Sequence, residues 1–177
     1  MKRILCTTLV LLGLAAMAAA QAGTSSGSGF QLSTSQRKAL PAAKTAEENA
    51  AYLAIVTPGP DVAAAEAAAK DFEAKYPTSE LTNGIYQNLM YRYQQADNAD
   101  KTLEMGRRVM QFDADNPMAL VTVSTVLAER TKETDLDRDG RYAEAVKDAQ
   151  HALDTVDNWL ATAPGITDQV AQGAKPI

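Results

Sequence analysis

Cysteine and histidine are almost missing from this chain, with one of each in 177 residues. The cysteine, Cys6, falls inside an N-terminal apolar run that reads as a targeting segment, so the rest of the chain holds none. That excludes disulfides, thiolate catalysis and cysteine-based metal sites there. A lone His151 leaves no His-based triad with a placed partner and no zinc set, and no dinucleotide loop occurs. Basic residues are outnumbered 17 to 22 and nowhere form a stripe. Phosphate binding needs clustered Lys and Arg, so nucleic acid is a poor partner. Paired carboxylates can hydrolyse sugars, but the acidic residues here are scattered at the spacing of solvated helix faces. The expectation is a chain that is not an enzyme and takes no cofactor or metal.

What is there begins with Lys2 and Arg3, followed by an apolar run from Ile4 to Ala20 that is Leu-rich and then Ala-rich. Ala20-Gln21-Ala22 places small residues where a signal peptidase reads. Residues 1–22 therefore read as a secretory signal peptide, cleaved after Ala22 or after Ala20. The competing reading is an uncleaved anchor, for which the run falls slightly short of the roughly 20 residues a span needs. A lipoprotein cysteine would follow the apolar core, whereas Cys6 precedes most of it. Export to a periplasm or out of the cell is expected, with no stable membrane span after cleavage. Losing Lys2 and Arg3 takes the net charge from −5 to −7. "GTSSGSG" (Gly23–Gly29) opens a flexible linker over residues 23–43.

From residue 44 to 161 the pattern is helical almost throughout. Thr45-x-x-Glu48 is a capping box for a first helix, which ends at Thr57 ahead of "PGP". Val62, Ala65, Ala69, Phe72 and Tyr76 mark one face of a second helix, stopped by Pro77. Thr78 or Ser79 is expected to cap a third, with Ile85, Tyr86, Leu89, Met90 and Tyr93 inward. "ADN" (Ala96–Asn98) is a tight turn. Thr102, Met105, Val109 and Phe112 mark the buried face of a fourth helix, and Gly106 admits a close neighbour. Asn116 and Pro117 start a fifth, carrying Leu120, Val123 and Leu127. The sixth carries Ala145, Ala149, Ala152, Val156 and Trp159. After Pro164-Gly165 the pattern fades, so residues 162–177 are a tail or the start of a further helix. Six helices joined by short turns give an all-α fold of about three antiparallel pairs.

One stretch carries a family likeness. "GRYAEAVKDAQHAL" (Gly140–Leu153) resembles the second helix of the tetratricopeptide repeat in the placement of Gly140, Tyr142, Ala145, Ala149, Ala152 and Leu153. "DADNPMAL" (Asp113–Leu120) and "FEAKYPTSEL" (Phe72–Leu81) resemble junctions between such repeats. The second pair departs from the pattern, with Ala96 for the turn Gly, Asn98 for the Tyr and one extra residue, and the first-helix Trp is absent throughout. The third pair carries an insertion, "RTKETDLDRD" (Arg130–Asp139). The resemblance implies a degenerate array over residues 44–161, stacked as a short right-handed superhelix. One pair cannot bury its own apolar face, so pairs stack and about three are needed. Ala145, Ala149 and Ala152 would then let helices approach, while Tyr142 and Leu153 fill the wedge between neighbours. The family has no catalytic residues.

Asp135, Asp137, Asp139 and Gly140 also match the first half of a calcium loop. Position 12 of that loop should be a bidentate Glu, but it is Val146, expected near the buried face, and Glu144 is a poor substitute. The helix register requires α-helix where the loop should still curl. The aspartates read instead as a solvated loop placing negative charge before a helix N-terminus. His151 is expected on a solvated face with Glu144, Lys147, Asp154 and Asn158.

In a stacked array the first helix of each pair lines the concave side. Asn83, Gln87 and Tyr91 on the third helix, and Thr122, Thr125 and Glu129 on the fifth, form the expected groove for a protein or peptide partner. The functional expectation is an exported, non-catalytic protein-interaction scaffold. The alternatives are a self-associating structural envelope component, as a homo-oligomer, and a weak calcium- or ligand-binding helical module.

Overall fold

The computed structural model describes residues 38–57, 59 and 61–165. The signal-peptide reading of residues 1–22, most of the linker, and residues 166–177 lie outside the described residues. The described part is all-helical: α1 (Ala46–Val56), α2 (Val62–Lys75), α3 (Thr82–Gln95), α4 (Ala99–Phe112), α5 (Pro117–Arg130) and α6 (Arg138–Thr162). No strand occurs among the described residues, and no helix there is long and apolar enough to cross a membrane.

Local chemistry sets most of the boundaries. The Thr45 hydroxyl accepts from the Glu48 amide and opens α1. Glu48 reaches back one residue further than a capping box requires, to the Lys44 amide at 2.6 Å. The Ser79 hydroxyl and the Lys44 amide hold its carboxyl below the usual range. Asn98 and Asn116 cap α4 and α5 by accepting from the amides of Lys101 and Ala119, each at 3.1 Å. Pro117 sits in the first turn of α5, where its missing N–H costs nothing.

Two boundaries differ from expectation. Ser79 does not cap α3: its hydroxyl accepts from the Leu81 amide in a turn, and α3 starts at Thr82 with no side-chain cap. The sixth helix starts at Arg138, so the last two residues of the "RTKETDLDRD" insertion are helical.

Hydrogen bonds between helices fix their directions. Glu66 and Glu73 of α2 accept from Tyr93 and Tyr86 of α3, so α3 runs back along α2. The stacked rings of Tyr86 and Phe112 bring the start of α3 to the end of α4. Arg130, ending α5, pairs with Asp97 in the turn before α4. Asp97 takes a left-handed φ of 55°, which lets three residues reverse the chain there. Tyr142, early in α6, donates to the Thr131 carbonyl after α5, while Trp159, late in α6, donates to Asp113 before it. Each helix thus doubles back on its predecessor, and each packs on the next in chain order, with α1 also against α3.

The core has two centres. The first gathers Ile55, Ala65, Ala69, Phe72, Ile85, Tyr86, Leu89, Met90, Tyr93, Met105 and Val109 from α1 to α4, with Ala119 of α5. The second joins Leu103 of α4, Val123 and Leu127 of α5 and Ala145 of α6. Gly106 lies where they meet: a Cβ there would stand 2.6 Å from Val123 Cγ2 and 3.3 Å from Met90 Sδ. Phe112, expected inside, is 45% exposed because it lies at the helix end, where Tyr86 covers one face and Arg108 sits over the ring.

The expected linker is not loose along its whole length. The Lys38 amide donates to the Thr162 carbonyl at 2.9 Å, and Ala43 packs against the first core centre. Lys44 Nζ donates to the carbonyl and hydroxyl of Thr78.

Candidate interaction surface

Long charged side chains cross from α4 to α2 on one side and to α6 on the other. Lys101 of α4 bridges to Glu66 of α2 at 2.8 Å, and Arg108 of α4 pairs with Glu73 of α2. Arg107 of α4 holds Glu144 of α6 through two bonds of 2.8 Å. The first two pairs each join residues 35 apart in sequence, and the third joins residues 37 apart. Equal offsets two turns apart mean that α2 and α4 run parallel.

Two clefts lie beside these bridges. One, of ≈ 440 Å³, is lined by Lys70, Glu73, Tyr86, Glu104, Arg107 and Arg108 among others. The second, of ≈ 330 Å³, lies between α4 and α6 and is lined by Leu103, Arg107, Leu127, Asp137, Arg141 and Glu144 among others. Asp100 and Arg107 line both.

The electrostatics are those of closed ion pairs. Burial alone would raise the Glu66 pKa, but hydrogen bonds from Lys101, Lys70 and Tyr93 outweigh it and hold the group at about 2. Burial and the Glu66 carboxylate push the Tyr93 phenol up to about 12. Glu73 follows the pattern of Glu66: burial is outweighed by Arg108 and Tyr86, and its pKa falls. Asp148 of α6 is the exception. It is buried, one carboxylate oxygen has no hydrogen-bond partner, and burial with the nearby Glu144 charge raises its pKa.

The groove expected on α3 and α5 is only partly assembled. Asn83, Gln87 and Tyr91 are half-buried, and Tyr91 packs against the first core centre. α3 has α1, α2 and α4 around it, so little of its surface is left for a partner. Thr122 is 7% exposed and belongs to the interior: it lies beside Val123 on the packed side of α5. Thr125 and Glu129 are exposed.

The repeat-packing residues also divide. Ala145 and Ala152 are buried and Ala149 is half-buried. Leu153 does not fill a wedge: it is 68% exposed, because no described helix follows α6 to cover it. Tyr142 is at the edge, 36% exposed, with its hydroxyl tied to Thr131. Val146, expected near the buried face, is 70% exposed for the same reason as Leu153.

His151 is not simply solvated. Its Nε2 lies 2.9 Å from Asp115 Oδ1, and with the Trp159–Asp113 bond it fastens α6 to the turn before α5. The signal for this was in the sequence, as two carboxylates in that turn, but only the direction of α6 pairs them with His151 and Trp159.

Asp139 and Gly140, positions 5 and 6 of the calcium-loop match, lie within α6. Asp135 accepts from the Lys132 amide, and Asp139 and Glu133 pair with Arg138. Among the described residues no three acidic or histidine side chains converge as a metal-binding set.

Compared with known proteins, the chain matches no protein-family model, no curated protein and no solved structure.

Proposed function

We propose that this chain is an exported, non-catalytic protein-interaction scaffold, built on tetratricopeptide-like pairs stacked as a short right-handed superhelix. The observation that carries the reading is the spacing of the inter-helix bridges. Pairs 35, 35 and 37 residues apart join successive second helices, close to the 34-residue period of that repeat. α2, α3, α4 and α5 are each 14 residues long, as helices of one repeated unit would be. The binding side in this reading is the α2–α4–α6 face. Its clefts combine charged side chains on rigid helices with the partly exposed ring of Phe112 nearby, a mixture that suits a polar peptide or protein surface.

Photo-crosslinkers placed at Gln111, on the cleft side, and at Gln87, on α3, test the assignment in the exporting cell. Crosslinks from Gln111 to a defined protein, with few from Gln87, are the expected outcome. Crosslinks from Gln87 alone would move the face to α3 and α5, and none from either position would remove the scaffold reading. N-terminal sequencing of the recovered protein tests the export step, with Gly23 or Gln21 as the expected first residue.

A further inference from the structure

α4 and α6 bury the same positions. Thr102, Met105 and Val109 of α4 lie inward at i, i+3 and i+7, as do Ala145, Asp148 and Ala152 of α6. One residue on from each is a second stripe: Leu103, Gly106 and Met110 in α4, and Val146, Ala149 and Leu153 in α6. In α4 that stripe is covered by α5. Leu103 joins Val123 and Leu127, Gly106 faces Val123, and Met110 packs against both core centres. In α6 it is open, with Val146 and Leu153 each about two-thirds exposed. With Tyr142 and Val156 the open stripe runs 142, 146, 149, 153 and 156, alternating steps of four and three. That is the spacing of a seam between two helices.

We propose that a second copy of this chain covers the stripe, α6 against α6, antiparallel about a two-fold axis near residue 151. The sequence is self-complementary in that register. Leu153 of one copy faces the small Ala149 of the other, a pairing the two-fold axis repeats, and between the two copies Val146 faces Val156. Charge agrees. On one flank of α6, set back from the stripe, the N-terminal half carries Lys147 and the C-terminal half carries Asp154 and Asp157, while Asp139 on that flank falls beyond the overlap. Antiparallel pairing sets each Lys147 level with the other copy's two carboxylates, whereas parallel pairing would set like charges together. Gln150 falls beside the axis, amide to amide. The seam is isologous, so it closes at two copies and does not propagate. The inference stands on α6 alone and does not rest on the scaffold reading.

Sedimentation of the full chain, as recovered from the exporting cell, over a wide concentration range tests it. A monomer–dimer equilibrium is expected, weakened by Leu153→Asp about 100-fold or more and by Val146→Gln less. Both sites are exposed, so unchanged circular dichroism is expected to show that the fold survives. Lys147→Asp should weaken the dimer, and adding Asp154→Lys and Asp157→Lys should restore it. Gln150→Cys should form a disulfide-linked dimer under mild oxidation, and Gln95→Cys should not. A monomer at every concentration overturns the proposal, whether the chain's own tail or another protein then covers the stripe. So does a dimer indifferent to Leu153→Asp.

Discussion

α4 lies between α3 and α5, while α6 packs along α5 with the Arg107–Glu144 bridge reaching back to α4. The two helices share a pattern of inward positions, yet the same stripe is core in one and surface in the other. Burial here is therefore a property of the neighbour as much as of the residue: Leu103 is 5% exposed and its counterpart Val146 is 70% exposed. The polar residues repeat the contrast. Beside α4, the buried Glu66 has three donors around it. On α6, the buried Asp148 keeps an unpartnered oxygen.

The largest expected difference comes from truncating the two stripes. Leu103→Ala should cost about 2–4 kcal/mol, because it removes a side chain that joins α4 to the second core centre. Val146→Ala should change monomer stability by under about 0.5 kcal/mol. Urea denaturation of both variants at low protein concentration measures the pair, and equal losses would break the comparison.

The buried carboxylates should differ in sign. Glu66 titrates at about 2 when folded, against an ordinary value of 4.5. Its contribution is therefore present above about pH 5 and is lost as the pH falls towards 2. Asp148 has a raised pKa, so the folded state takes up its proton first, and acid relieves a cost present at neutral pH. Glu66→Gln should cost about 2 kcal/mol at pH 7 and flatten the loss of stability in acid. Asp148→Asn should add about 0.5 kcal/mol at pH 7. Urea midpoints at pH 7 and pH 3 report both.

The smallest expected difference sharpens the comparison at one pair of sites. Gly106→Ala gains helix propensity but forces Val123 to move, so a net cost of about 1 kcal/mol is expected. Ala149→Gly in the monomer at low protein concentration should also cost about 1 kcal/mol, chiefly from propensity, because Ala149 lies on the stripe of α6 that no described helix covers. Thermal melts distinguish the two: restoring space with Val123→Ala should lessen the Gly106→Ala penalty and leave Ala149→Gly unchanged.

Much of the helical layout was readable in residue order. Thr45, Asn98 and Asn116 cap where side-chain oxygens meet free amides. The apolar faces of α3 and α5 follow the 3.6-residue period through Ile85, Leu89 and Tyr93, and through Leu120, Val123 and Leu127. α3 starts later than its serine and threonine imply, because Ser79 satisfies the Leu81 amide in a turn, an alternative that a Ser always offers. The interaction surface was less legible. Thr122 lies on α5 at a position that periodicity left outside, yet packing encloses it. Leu153 and Val146 have the chemistry of core residues and the exposure of surface ones.

Within the described residues, the order of amino acids by itself determined six helices and most of their ends, and the count of cysteines excludes thiol chemistry beyond residue 6. These depend on caps, prolines and periodicity within a few residues of each other. Only the tertiary structure decided which apolar stripe meets another helix, that Arg107, Arg108 and Lys101 bridge to carboxylates 35 to 37 residues away or pair locally, and that His151 and Trp159 hold the turn before α5. Such contacts join positions far apart along the chain. Their partners are fixed by how whole helices pack, which no local pattern encodes.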